Sequence, residues 1–301
     1  MEYKGGSIIK NLRKNMGISQ EDMAKRLYMS QRQLSRVENG EAELDWMEFI
    51  IAFSSLGISP DDFWIMYLDY SEFQGYMQYQ QVRRHMSTNN RQEALKSLNQ
   101  LEKNPLSKHD FMAQFVLAMS CILDEMEIDD RMRGLHEALS ISIVDFDIAT
   151  VNNTSLTYNE IMIINELAML YNELGDTGHS IDLLYCIVNA FEQGNMRMTQ
   201  RDKKLIIPTP MVHLFRLLMN EGRYDEAAKI CEMVLQDKNK TRNYSFHPEA
   251  AYTLALCFKH IKKSQNEYIP LLVRAHHAAH AMGNHKLATE IKEAYHEVTS
   301  K

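Results

Sequence analysis

Seven polar residues between positions 20 and 36 have side chains that can hydrogen-bond a nucleic acid. They are Gln20, Ser30, Gln31, Arg32, Gln33, Ser35 and Arg36. Arginine can hold the edge of a guanine with two hydrogen bonds, and glutamine can hold an adenine in the same way. Most of the set lies at the start of one predicted helix. Gln20 begins the helix before it, where a phosphate would meet both its side chain and the helix N-terminus. The set predicts contacts with the bases and phosphates of duplex DNA.

Two short helices must position these side chains, and capping residues delimit both. Ser19 with Asp22 three residues later predicts a helix start, and Ser30 with Gln33 predicts a second one with a capping box. Gly40 predicts the end of the second helix. Apolar residues at helical spacing supply the buried faces: Met23, Ala24, Leu27, Leu34 and Val37. Two short helices joined by about three residues are typical of a helix-turn-helix, whose second helix enters the major groove.

The flanking sequence extends this pattern. A helix is predicted over about residues 6–16, an amphipathic helix over 46–56, and another from Ser59-Pro60. The whole segment, and the run Arg-Val-Glu-Asn-Gly at 36–40 above all, resembles the phage-repressor (Cro/repressor, XRE) type of DNA-binding domain. The resemblance implies five helices within residues 1–68. Further phosphate contacts are predicted for Lys10, Arg13, Lys14 and Lys25.

The charge distribution agrees with DNA binding, although the chain carries a net charge of −7. Residues 1–40 contain eight Lys or Arg against four acidic residues, so this segment is basic. A local basic face suffices for phosphate contacts. The acidic remainder argues against a second surface for nucleic acid.

The sequence argues against a membrane-spanning or secreted protein. No apolar run approaches the ~18–20 residues that span a membrane, and the N-terminus lacks a signal-peptide pattern. We therefore expect a cytoplasmic protein without a membrane contact. Four cysteines without a C-x-x-C spacing are predicted to be reduced core residues: Cys121, Cys186, Cys231 and Cys257.

Residues 69–301 predict a second, all-α domain built of helix pairs. Loosely similar pairs recur at residues 76–101, 111–139, 158–191, 211–235 and 249–281, without a strand pattern between them. Such repetition predicts a tetratricopeptide-like α-solenoid, with a compact helical bundle as the alternative. The predicted fold class is therefore all-α.

The first helix of each pair would line a concave face, where Met, aromatic and a few polar residues fall at inward positions. Methionine adapts to irregular apolar ligands, asparagine can bond both groups of a peptide unit, and arginine can bind a carboxylate. A groove for a short hydrophobic peptide is therefore predicted. Its candidate contacts are Tyr79, Arg83, Phe115, Met119, Met162, Asn165, Met169, Asn172, Arg216, Met219 and Tyr252.

A repressor-type helix-turn-helix followed by such repeats resembles the Rgg/Rap/NprR/PlcR/PrgX (RRNPP) family of quorum-sensing regulators. Leu-Thr-Tyr-Asn-Glu-Ile at 156–161 and Gly175-Asp176 are similar to the Rgg branch. The resemblance implies a transcriptional regulator controlled by a signalling peptide, with Asn165 and Asn172 holding the peptide backbone. It also implies a homodimer that reads a palindromic operator, and it places the dimer contact within about residues 269–298. Some Rgg-like proteins join their DNA-binding domains through a cysteine. That link is not expected here, because the chain has no Cys before residue 121.

Two other functions compete with this interpretation. His276 and His280 share a helix face as zinc ligands would, but no Glu lies between them and no Cys is near. No phosphate-loop, dinucleotide or nucleophile motif is present, so we expect no enzyme, no metal and no cofactor. The remaining alternative is a helix-turn-helix repressor whose repeats bind a protein partner instead of a peptide.

Overall fold

The computed structural model describes residues 5–57, 70–88, 90–144, 146–148, 154–236 and 245–300, without the side chains of residues 46 and 70–73. The chain divides into two compact units, residues 1–109 and 110–301. The boundary predicted between residues 68 and 69 lies outside the described residues and stays a prediction.

The first unit contains the predicted helix-turn-helix. Its helices are α1 (Gly5–Asn15), α2 (Gln20–Arg26), α3 (Gln31–Glu38), α4 (Trp46–Ser55), α5 (Tyr70–Ser87) and α6 (Arg91–Glu102), followed by a 3-10 turn at Pro105–Lys108. The first four agree with the predicted elements. The helix predicted from Ser59 lies outside the described residues.

One apolar core holds α1 to α4 together. Its members are 5% exposed or less: Ile9, Met23, Ala24, Leu27, Leu34, Ala52, Phe53 and Leu56. Helix α1 also approaches α3 through backbone. A methyl group placed on Gly6 would overlap the carbonyl oxygen of Val37 and lie 3.3 Å from the amide nitrogen of Glu38. Only glycine permits this approach.

The second unit is a succession of helices. They are α7 (Asp110–Leu123), α8 (Ile128–Ser140), α9 (Tyr158–Glu173), α10 (Thr177–Glu192), α11 (Gln200–Ile206), α12 (Pro208–Asn220), α13 (Tyr224–Leu235), α14 (His247–His260), α15 (Gln265–Ala281) and α16 (His285–Thr299). Within the described ranges the only β pairing is an isolated bridge between Leu156 and Met196. The all-α prediction is confirmed.

The helices pack in the order expected of a helical-repeat array. The predicted pairs α7/α8, α9/α10, α12/α13 and α14/α15 each pack together, as do α5 and α6 in the first unit. First helices of neighbouring pairs also touch, α7 against α9 and α12 against α14. A continuous apolar core runs from α7 to α14, and a second core joins α14, α15 and α16. Within the second unit, each pair buries its apolar face on its neighbours, as repeat stacking requires.

The segment at 156–160, which carries the resemblance to the Rgg branch, fastens α9 in place. Thr157 caps α9 in a capping box, with its amide donating to Glu160 Oε2 at 2.7 Å. Asn159 Nδ2 donates to the carbonyl of Phe111 on α7 at 2.8 Å. The amide of Leu156 donates to the carbonyl of Asn195, beyond α10, at 3.0 Å. These residues therefore set the position of the helix that carries Asn165.

Candidate DNA interface and candidate ligand groove

The start of α3 is built by the predicted capping box. The amide of Gln33 donates to Ser30 Oγ at 3.2 Å, and the Gln33 Oε1 oxygen accepts from both the amide and the hydroxyl of Ser30, at 2.8 and 2.9 Å. The cap is confirmed, and it changes what Gln33 can do. A bidentate contact with adenine needs both the amide oxygen and the amide nitrogen of a glutamine. While the cap is closed, only the nitrogen of Gln33 is available.

The neighbouring positions keep their donors and acceptors available. Gln31 and Arg32 are exposed, and no side-chain hydrogen bond or ion pair engages either within the described part of the chain. Arg36 is also exposed, with its Nε 3.9 Å from a carboxylate oxygen of Glu41. Ser35 is partly buried. The geometry thus favours Gln31 over Gln33 as a bidentate reader of adenine, with Arg32 suited to guanine.

Gln20 and Arg13, both predicted to meet phosphates, belong to an internal polar network. Arg13 is buried and holds Glu38 with two contacts, Nε–Oε1 at 2.6 Å and Nη2–Oε2 at 2.9 Å. Gln20 Nε2 also donates to Glu38 Oε2, at 2.9 Å, and Arg13 Nη1 donates to the carbonyl of Ile18. The network joins α1, α2 and the end of α3. Arg13 therefore orients the helices from inside, and the phosphate contact of Gln20 remains a prediction.

The charge of Glu38 depends on its partners. Burial alone would raise its pKa, but the hydrogen bonds from Arg13 and Gln20 outweigh burial and lower the pKa below the usual range. The carboxylate is therefore ionised at neutral pH and holds both donors. Lys10 adds a bond to Asn39 Oδ1 at 2.8 Å, just past the end of α3.

The turn between α2 and α3 has an unusual residue. Tyr28 adopts φ 53°, a left-handed conformation that favours glycine, and its side chain is 93% exposed. Because the exposed ring makes little packing contact, nothing offsets the backbone strain at Tyr28, and this conformation lowers the stability of the domain.

The predicted groove residues divide into buried and accessible ones. Phe115 and Met119 are 0% and 1% exposed and pack in the interior, so their burial does not support a ligand contact. Tyr79 is also buried, and Arg83 Nη1 donates to its hydroxyl at 3.4 Å. Asn165 is buried as well, with 7% exposure. Arg216 is exposed, and the partly exposed members of the set are Arg83, Met162, Met169, Asn172, Met219 and Tyr252. Tyr79 and Arg83 lie in the first unit and the other nine lie in the second, and the groove as a whole stays a prediction.

Two polar contacts connect three successive first helices of the repeats. Asn165 Oδ1 on α9 lies 2.9 Å from His213 Nδ1 on α12. On the same helix α12, Arg216 binds Glu249 of α14 with two donors on one edge of its guanidinium, Nε to Oε1 and Nη2 to Oε2, the latter at 2.8 Å. Two predicted ligand contacts, Asn165 and Arg216, therefore already have partners in this structure.

Three partly exposed members of the set also have neighbours that limit their chemistry. Asn172 Oδ1 accepts from the hydroxyl of Thr177 at 3.2 Å, across the turn between α9 and α10. Met219 Sδ lies 3.1 Å from Cys257 Sγ. Burial and the hydrogen-bonded Glu290 carboxylate raise the pKa of Tyr252 to about 12, so its hydroxyl stays protonated and donates to Glu290.

The sequence analysis missed His213 and Glu249. His213 is a titratable residue inside the apolar helix Pro208–Asn220. That contrast was the available signal. Burial, then the positive charge of Arg216, lower the pKa of His213 to about 4, although Glu249 acts in the opposite direction. Glu249 gave no such signal, because an acidic residue in the first turn of a helix is common.

The thiols and histidines offer no second site in the described ranges. All four cysteines are free and buried, as predicted, and burial raises the pKa of Cys186 to about 11 and that of Cys257 to about 12. Ring centroids of His276 and His280 are 6.4 Å apart, and no group of three metal-binding side chains occurs among the described residues. Within the same residues, no helix is both long and apolar enough to cross a bilayer.

Comparisons with known proteins agree with this architecture. Residues 9–63 match the helix-turn-helix family of DNA-binding domains. PlcR of Bacillus thuringiensis, solved with the peptide PapR7 and DNA, is 16% identical, with a TM-score of 0.70 over 97% of this chain and 99% of its own. ComR of S. thermophilus, solved with DNA and its signalling peptide ComS, is 14% identical, with a TM-score of 0.60 over 97% and 98%.

A third relative is the SHP pheromone receptor Rgg2 of Streptococcus dysgalactiae, 17% identical, with a TM-score of 0.54 over 97% and 99% of the two chains. No curated protein sequence matches the chain significantly. The chain therefore carries a helix-turn-helix domain, and its fold is that of the RRNPP regulators PlcR, ComR and Rgg2.

Proposed function

We propose that this protein is a transcriptional regulator of the RRNPP family, which binds an operator in duplex DNA and is controlled by a short hydrophobic peptide. The observation that carries the proposal is the start of α3. A capped helix there presents Gln31 and Arg32 to solvent, with no internal partner among the described residues. The Arg13–Glu38 pair fixes this helix against α1. Preorganised, exposed donors of this kind suit contacts with base edges.

A homodimer would let the protein read a palindrome, since one domain of this kind covers only a half-site. The last two helices remain our proposed contact. Two large apolar side chains are exposed among the described residues of these helices. Val273, within α15, is 39% exposed, and Met282, at the C-terminal end of α15, is 48% exposed. Two such residues are compatible with a partner surface, and polar contacts would have to supply the rest.

The peptide is proposed to lie along α9, α12 and α14. Relatives of the same fold, PlcR and ComR, were solved with peptides and DNA. In this chain α9 and α12 present the partly exposed Met162, Met169, Asn172 and Met219. Asn165, on the same face of α9 by spacing, is buried apart from 7% of its surface. Such a surface suits binding and not catalysis. A regulator that binds both DNA and an imported peptide would act in the cytoplasm, where both are present.

The DNA-binding part is tested by selecting bound fragments from genomic DNA with the full-length protein and footprinting them. Arg32→Ala is expected to weaken specific binding by about 1–3 kcal/mol and relax the sequence at one position. Arg133→Ala is a charge-matched control, because Arg133 is exposed on α8 and pairs with Asp130. An unchanged footprint for the Arg32 variant would remove it from base reading.

Gln31 and Gln33 provide a second, sharper comparison. Gln31→Ala should change the preferred sequence without lowering thermal stability, because Gln31 has no internal partner in the described residues. Gln33→Ala should lower stability by about 0.5–1.5 kcal/mol, because it removes the hydrogen bonds that Gln33 Oε1 accepts from Ser30. Equal changes in sequence preference for the two variants would contradict the roles proposed here.

The peptide part is tested with a displayed library of random heptapeptides selected on the full-length protein. Enriched peptides should be hydrophobic, and Asn165→Ala should lower their affinity while leaving DNA binding by the unliganded protein unchanged. If no peptide is enriched, or if enriched peptides bind the variant equally well, the proposed ligand site is wrong.

A further inference from the structure

The contact between Asn165 and His213 connects two first helices that are neighbours in the groove but far apart in sequence. The two residues are 48 positions apart, and Asn165 Oδ1 lies 2.9 Å from His213 Nδ1. Asparagine can present either an oxygen or an NH2 group in a given direction, so whatever orients its amide decides which group a ligand meets. His213 is the only described residue that hydrogen-bonds the Asn165 side chain.

The direction of this hydrogen bond follows from the protonation of His213. Burial and the charge of Arg216 disfavour the imidazolium, so the ring is neutral at physiological pH and carries one proton. The charged groups acting on the ring are Arg216 and Glu249, and these bind each other. An amide oxygen accepts but cannot donate. Contact between this oxygen and Nδ1 therefore requires the ring proton on Nδ1.

The amide nitrogen of Asn165 then points away from the imidazole. Asn165 is 7% exposed, and its nitrogen has no partner among the described residues. If this nitrogen were fully buried, it would be a buried polar atom without a partner, and it is not one of those atoms. The small exposed part of the residue thus includes the nitrogen, which remains able to donate to a molecule in the groove.

We infer that His213 is a positioning residue for the ligand site: it holds the Asn165 oxygen, so that the Asn165 NH2 group is what a ligand meets. The ligand group that this arrangement selects is a carbonyl oxygen of an extended peptide, not a peptide N–H. The ligand side of this inference rests on the proposed function. The orientation of Asn165 does not, because it is a property of the unliganded protein.

The orientation is tested by nitrogen NMR on full-length protein labelled with 15N in its histidines. The expected result at pH 7 is one neutral imidazole protonated on Nδ1, whose signals disappear in His213→Asn. If the His213 signals instead show the proton on Nε2, then Nδ1 accepts from the Asn165 nitrogen, the amide is reversed, and the inference is wrong.

A rescue experiment separates positioning from simple packing. His213→Asn keeps a donor NH2 group near the place of Nδ1, whereas His213→Ala removes the donor. With heptapeptides enriched from the displayed library as probes, His213→Ala should lose roughly three- to tenfold in affinity, as one hydrogen bond implies. His213→Asn should stay within about threefold of the wild type. Equal losses in both variants would overturn the positioning role.

Thermal melting of both variants controls for unfolding. Failure of the proposed function is recognised separately, because it would leave the library without enriched peptides and the NMR result unaffected. In that case the proton on Nδ1 would still establish the orientation of Asn165, and a proton on Nε2 would still refute it.

Discussion

Replacing Gly6 with alanine should unfold or loosen the DNA-binding domain while leaving the second unit intact. The added methyl would overlap the Val37 carbonyl oxygen and lie 2.7 Å from its carbonyl carbon, where ordinary contacts begin at 3.4 Å. Helices α1 and α3 must separate to relieve this overlap. Because the obstacle is backbone, no side-chain rotation can remove it.

The magnitude follows from what the separation breaks. Overpacking of a core by one methyl costs about 1–3 kcal/mol. Moving α1 away also stretches the two Arg13–Glu38 contacts, and breaking a buried ion pair costs about 3–5 kcal/mol when one charge is left unpaired. We therefore expect the free energy of unfolding of this domain to fall by about 1–3 kcal/mol if the ion pair is retained, and by about 4–8 kcal/mol if the pair breaks.

The free energy of unfolding is measured by urea denaturation of the full-length protein, with circular dichroism as the signal. DNA binding by the same variant is measured in parallel. Gly178→Ala is the matched control. Gly178 lies in α10, has only ordinary contacts around its position, and should tolerate the change or gain up to about 1 kcal/mol. The reasoning is refuted if Gly6→Ala lowers stability by less than about 0.5 kcal/mol, or if it unfolds the second unit instead.

Three further predictions concern the turn, the repeats and acid stability. Tyr28→Gly should raise the stability of the first unit by up to about 1 kcal/mol, because it relieves the left-handed backbone and removes no packing; a lower melting temperature would contradict this. Gly134→Ala should lower stability, because its methyl group would overlap Cys121 Sγ. Adding Cys121→Ala should restore part of the loss, and a double-mutant cycle without coupling would exclude that contact. As pH falls from 6.5 to about 4, the unfolded chain protonates His213 before the folded one does, so stability should fall by up to roughly 3 kcal/mol and level off below that range. His213→Asn should flatten this part of the curve measured by denaturation at several pH values, and an unchanged slope would show that His213 does not titrate in this way.

Local capping chemistry predicted the starts of α2 and α3. Ser19, Ser30 and Thr157 each bond an amide three residues further on in the structure. Contacts over three residues are determined by the order of the amino acids and little else. Helical spacing likewise predicted the buried face of the helix-turn-helix: Met23, Ala24, Leu27, Leu34 and Val37 are all 5% exposed or less.

Contacts between distant residues decided which candidate side chains are available. Gln20 and Arg13 have the chemistry to bind phosphate, but Glu38 lies 18 and 25 residues away in sequence and holds both. Periodicity also could not separate Phe115 from Met162, because both are inward positions by spacing. Packing from neighbouring helices buries the first and leaves the second partly open.

The sequence by itself determined the class of polymer that the first domain is built to contact, the repeated helical architecture behind it, and the reduced state expected of its thiols. Only the tertiary structure decided which donors face outward. The Asn165 amide shows the reason: its polarity is known from its type, but its direction depends on a histidine 48 residues away. Side-chain direction at a binding surface is a property of long-range packing, and no local pattern encodes it.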